Sequence, residues 1–144
     1  MGEEPAAQVI MPIGLVDHFN IVISPSQVDE TLKFYREVLG LRDGFRPDFG
    51  RPGWWLYAGD YPVLHISLKD MAPTRGSTGS FDHIALKATG WVEMKAKLER
   101  LGIPFEEQRV NDNRVLQIFF RDTNGLKIEL DYKLDSCTSP PPNA

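Results

Sequence analysis

Hydrophobic and polar positions alternate along this chain in a pattern that is used twice. Residues 15–23 form a β-branched and aromatic run that Pro25 ends, and they read as a strand. Ser26 then offers a helix N-cap. Val28, Leu32, Tyr35 and Leu39 recur at three- and four-residue spacing over residues 27–39, and Gly40 supplies the stop. Residues 54–57 and 63–68 flank Gly59-Asp60 and predict a hairpin with a short loop. Residues 71–80 are rich in Gly, Ser, Thr and Pro without periodicity and read as a connector. The order then repeats. Residues 81–86 predict a strand, Thr89 a cap, residues 91–101 a helix ended by Gly102 and Pro104, and residues 105–110, 115–121 and 126–132 three further strands. Each half is therefore β-α followed by about three strands, with module 1 near residues 15–70, the linker at 71–80 and module 2 near 81–133. Residues 134–144, with three consecutive prolines, predict a disordered tail.

Strand parity sorts these residues by face, because side chains alternate with period two. His18, Asn20 and Val22 oppose Phe19, Ile21 and Ile23. His83 and Ala85 oppose Ile84 and Leu86, His65 opposes Leu64 and Ile66, and Glu129 opposes Ile128 and Leu130. The three histidines of the chain and Glu129 thus all fall on the face away from the apolar one, each inside an expected strand. The repeat places them in register: His83 follows His18 by 65 positions, and Glu129 follows His65 by 64.

Length and composition narrow the setting. A chain of 144 residues is expected to form a single domain over residues 1–144, burying about two-thirds of its unfolded surface. The net charge of −4 has no clustered positive face, which argues against a nucleic-acid or anionic-membrane partner. The single Cys137 excludes a disulfide framework and a cysteine metal cage. Glu3 and Glu4 stand where a secretory leader carries positive charge, and no apolar run approaches the ~20 residues of a membrane span, so a cytoplasmic setting is expected.

Three imidazoles and a carboxylate at His18, His65, His83 and Glu129 suit one divalent transition metal, Fe, Mn, Ni, Co or Zn, and suit Mg or Ca poorly because those prefer oxygen shells. A polar pocket without metal is the competing reading of the same four residues. The expected walls are Asn20, one of Trp54 and Trp55 with Trp55 preferred, Tyr57, Gln117 and Phe119. Asp17 and Asp82 read as strand-entry residues.

The duplicated module, the Asp17-His18 and Asp82-His83 openings, and the segment from Phe120 through Arg121-Asp122-Thr123-Asn124-Gly125 to Glu129 and Leu130 resemble the vicinal oxygen chelate superfamily. That superfamily includes glyoxalase I, methylmalonyl-CoA epimerase, fosfomycin-resistance enzymes, extradiol dioxygenases and bleomycin-resistance proteins. The resemblance implies an α+β fold in which two tandem β-α-β-β-β modules form a cupped eight-stranded mixed sheet around one metal, often completed by strand exchange in a homodimer. It puts His18, His83 and Glu129 on the most regular ligand positions. His65 falls where glyoxalase I-like members carry a glutamate and extradiol-type members a proton-moving histidine. The expected activity is that of a metal-dependent isomerase or lyase acting on a small molecule through two adjacent oxygens, with Glu129 and His65 as acid and base. An extradiol-type dioxygenase is the alternative, but Phe119 and Thr123 stand where its signature has tyrosine and proline, and residues 110–113 lack its histidine. A dimeric drug- or metabolite-binding protein is the second alternative.

Overall fold

The computed structural model describes residue 2, residues 14–73 and residues 75–134. The expected tail from residue 135, Cys137, and Glu3 and Glu4 at the start lie outside the described residues. In module 1, β1 (Phe19–Ile23) is followed by a single 3-10 turn (Pro25–Gln27), α1 (Val28–Glu37), β2 (Arg42–Asp43), β3 (Gly53–Ala58) and β4 (Tyr61–Leu68). Module 2 repeats the order with β5 (His83–Ala88), α2 (Trp91–Arg100), β6 (Glu106–Val110), β7 (Val115–Arg121) and β8 (Lys127–Lys133). The α+β architecture and both β-α-β-β-β modules are as the sequence predicts.

The eight strands hydrogen-bond as two four-stranded mixed sheets, ordered β1-β4-β3-β2 and β5-β8-β7-β6. In each, the first strand pairs parallel with the last and the other ladders are antiparallel. The hairpin at Gly59-Asp60 forms, with Gly59 at φ +60, a conformation that costs glycine little.

Several boundaries differ from expectation, and three of them change how an element begins. The first strand starts at Phe19, where pairing with β4 begins at Leu64, and Leu15 and Val16 are exposed. Ser24 replaces Ser26 at the first helical turn: its N–H donates to Gln27 Oε1 at 3.1 Å, so the chain turns one residue before Pro25. Gly90, in the left-handed region at φ +80, precedes α2 in place of a Thr89 cap.

One apolar cluster joins the modules. It draws Leu56, Leu64 and Ile66 from the first sheet, Leu116, Ile118, Phe120, Ile128 and Leu130 from the second, and Leu32, Phe34, Tyr35 and Leu98 from the helices. Helix α1 carries module 1 onto module 2. Phe34 packs 6.2 Å from Phe120, and the Tyr35 hydroxyl donates to Asp122 Oδ2 at 2.8 Å. Burial, with the Asp122 charge beside it, pushes the Tyr35 hydroxyl pKa well up and keeps it a donor. Asp122 Oδ1 meanwhile accepts the N–H groups of Asn124 and Leu126, at 2.9 and 2.8 Å, which shapes the β7–β8 turn. Gln27 and Thr31 of module 1 both bond the Asn124 side chain.

Candidate metal centre

With the apolar faces committed to the core, the opposite faces of the two sheets hold the polar residues. The ladders set their neighbours: Asn20 and Trp55 lie directly across from His65, and Phe119 lies across from Glu129. His18 sits one residue before β1 and His83 opens β5, so these two occupy strand entrances rather than strand interiors.

The four candidate ligands form two pairs. In module 1 the His18 and His65 rings stack with centroids 3.7 Å apart, and Trp55 stacks on the far face of His65 at 4.1 Å. In module 2, His83 Nε2 stands 2.8 Å from Glu129 Oε2. Among the described residues of one chain, no three His, Cys, Asp or Glu side chains gather closely enough to hold a metal ion. Each module thus presents half of the expected set.

The ring nitrogens are sorted alike in all three histidines. His18 Nδ1 lies 2.6 Å from Asp17 Oδ2, and His83 Nδ1 lies 2.8 Å from Asp82 Oδ2. The Pro62 backbone accepts from the His65 ring, whose Nε2 is buried without a partner, which leaves Nδ1 as the donor. Every Nδ1 is therefore engaged by an acceptor, and the Nε2 of His83 faces Glu129. A carboxylate or carbonyl behind the imidazole fixes the tautomer that offers Nε2 as a lone pair, the arrangement usual for a metal-bound histidine. The donor set and the orphaned Nε2 of His65 fit a divalent transition metal. Tyr61 and Lys127 brace the two aspartates, at 3.0 Å from Asp17 and 3.4 Å from Asp82, and the bonds from His18 and His83 hold both carboxyls below their ordinary pKa.

Glu129 is buried at 6% exposure. Burial raises its pKa, a hydrogen bond with Asp131 adds to the rise, and the charges of His83 and Lys127 oppose it. Gln117 donates to both Glu129 Oε1 and Asp131 Oδ1, and takes a bond from Gln108 at 2.7 Å. His65 shifts the other way. Burial lowers its pKa first, and the charges of His18 and Arg46 add to this, so the ring favours its neutral form.

The expected walls fare differently. Trp55 faces the site while Trp54 packs on the core. Asn20 donates to Ser67 Oγ at 3.0 Å, Gln117 holds Glu129, and Phe119 meets the His83 ring edge-on at 6.5 Å. Tyr57 has its hydroxyl occupied by the Phe45 carbonyl at 2.5 Å and so ties down the segment before β3. Asp17 and Asp82 proved to orient the histidines beside them. The repeat of the Asp-His pair was the signal, since a strand entrance alone gives no reason to use aspartate at both copies. Asp131 and Gln108 were findable by parity, as the i+2 neighbour of Glu129 and the cross-strand partner of Gln117.

Comparison with known proteins bears on the fold and the family. A curated relative, Glyoxylase I 4 of Arabidopsis thaliana, is 27% identical over 125 residues, 83% of this chain and 72% of the relative. Among solved structures, a protein described as of the glyoxalase family from Bacillus anthracis superposes with a TM-score of 0.67 at 22% identity, covering 85% of this chain and 97% of that one. The fosfomycin resistance protein FosX of Listeria monocytogenes gives 0.63 at 15% identity, covering 85% and 95%. At these identities the solved structures share the fold. The sequence signature of the glyoxalase/bleomycin resistance protein/dioxygenase superfamily matches residues 15–130, and the chain belongs to that superfamily.

Proposed function

We propose that this protein is a metal-dependent isomerase or lyase that takes a small molecule through two adjacent oxygens, with one divalent transition metal held by His18, His65, His83 and Glu129. The observation that carries this reading is that each histidine has Nδ1 engaged by an acceptor, which keeps Nε2 for a ligand. Membership of the superfamily and the acidic partner at Glu129 support it. When bound, the metal supplies Lewis acidity toward developing negative charge on a substrate oxygen, an effect of several kcal/mol.

The chain's own residues handle protons. His65, neutral and unpartnered at Nε2, is suited to accept a proton when the ring is not a ligand, and Trp55 keeps water from its outer face. Glu129, whose pKa burial raises, is suited to return it when it is not a ligand, with Gln117 engaging Oε1 and Oε2 facing His83. Because the half-sites lie apart in one chain, the complete site forms where module 1 of one copy meets module 2 of another. The outer edges of β1 and β5 are unpaired among the described residues, and half-exposed Val22 and Phe81 lie on and beside them. A two-fold pair makes two identical sites.

Metal content after anaerobic purification tests the reading. Stoichiometric transition metal that Glu129→Ala and His83→Ala each remove is the expected result. Its absence from the wild type overturns the proposal. Iron together with oxygen consumption on catechols transfers the reading to ring cleavage. Among the described residues no helix is long and apolar enough to cross a membrane.

A further inference from the structure

Arg46 lies on the same face as the module 1 half-site and has no carboxylate partner among the described residues. It belongs to the segment between β2 and β3, yet its guanidinium reaches back over β3 at Gly53. A Cβ at position 53 would stand 2.6 Å from one terminal nitrogen of Arg46, 2.8 Å from Cζ and 2.8 Å from the Ile66 carbonyl oxygen. The backbone of Gly53 is not in the left-handed region, so space rather than conformation calls for glycine there. Gly53 lies across from Ser67 and Trp55 across from His65 in the same ladder. By alternation, the guanidinium therefore rests on the face that carries Trp55 and His65.

It is held there from two sides. Cζ stands 4.9 Å from the centroid of Phe49, and Phe49 lies 6.2 Å from Trp55. One terminal nitrogen donates to the Arg51 carbonyl at 3.1 Å. None of the ion pairs among the described residues includes Arg46. A guanidinium has five donors in a planar fork suited to a carboxylate, so one bond to a carbonyl leaves most of that capacity unused. Packing on Phe49 and over Gly53 fixes direction beforehand, which lowers the entropy cost of binding an anion.

We propose that Arg46 anchors a carboxylate of the substrate, so that the enzyme takes small molecules bearing a carboxylate in addition to the two adjacent oxygens. This rests on the function proposed above, and deepens it by naming the substrate class. Arg46 recognises the ligand and takes no part in the chemistry.

The test is a preference ratio. Binding of 3,4-dihydroxybenzoate and of its neutral isostere 3,4-dihydroxybenzamide is titrated without oxygen, by calorimetry, on metal-loaded protein. The wild type is expected to favour the acid by about tenfold or more, the scale of a charge-assisted pair. Arg46→Gln should bind acid and amide alike while keeping the amide affinity and the metal content of the wild type. Arg46→Lys should keep part of the preference, which a purely packing role for the side chain would not produce. A wild type without preference, or an Arg46→Gln variant that retains it, overturns the proposal. A wild type that holds no metal overturns the function proposed above instead, and the same ratio on metal-free protein then decides for or against Arg46.

Discussion

Asp17 and Asp82 show how little covalent change separates a structural residue from one that sets chemistry. Each accepts from the Nδ1 of the histidine that follows it, and each is largely exposed, so neither contributes much to folding. Their effect lies in the imidazole: with Nδ1 engaged, Nε2 is offered as a lone pair. Asp17→Asn and Asp82→Asn are therefore expected to leave the melting temperature nearly unchanged and to weaken metal retention about 10- to 100-fold, read by competition with a chelator. A loss of stability equal to that of a core variant would count against the assignment. The dipeptides stand out in the sequence because they repeat, but the direction of their bonds does not. Arg46 was invisible for a different reason. It lies in a segment without period, and nothing in the order of residues shows that its guanidinium lies over Gly53.

Among the elements, strands were the most legible. Parity assigned the His65, Trp55 and Glu129 faces, and the ladders agree because a one-residue slip would have put Leu64 or Leu130 into water. Helix α1 was legible as a helix but not by its destination, since its apolar stripe fits any complementary face. Its destination is the β7–β8 turn, through Tyr35 and Asp122. Removing one hydroxyl there deletes a buried hydrogen bond to a charged group. Tyr35→Phe is expected to cost about 1.5–3 kcal/mol in urea unfolding. Asp122→Ala should cost more, because it also strands the N–H groups of Asn124 and Leu126. Equal stability in Asp122→Ala and the wild type would show that the turn holds itself. Metal content measured on the folded variants separates this from any direct effect on the site.

Across the whole molecule, duplication was legible, and how far apart its half-sites lie in one chain was not. The interval between the copies announces two matching halves, whereas the distance between half-sites depends on how the sheets pack, which no local pattern encodes. The separation of the His18–His65 pair from the His83–Glu129 pair has a direct test by complementation. A His18→Ala/His65→Ala chain and a His83→Ala/Glu129→Ala chain should each purify without metal. Unfolded and refolded together in equal amounts, they should regain metal at about a quarter of all sites, since half the pairs are mixed and each has one intact site. No recovery on mixing, with dimers verified by sedimentation, would place the whole set within one chain.

The carboxylate of Asp122 joins what duplication made separable. One oxygen shapes a turn in the second copy and the other receives a hydroxyl from the first. A change that suits one copy is therefore tested at once against the other. Two halves that began alike are not free to drift apart: each inherits the constraints of its twin, and their divergence is confined to the faces that the shared core leaves open.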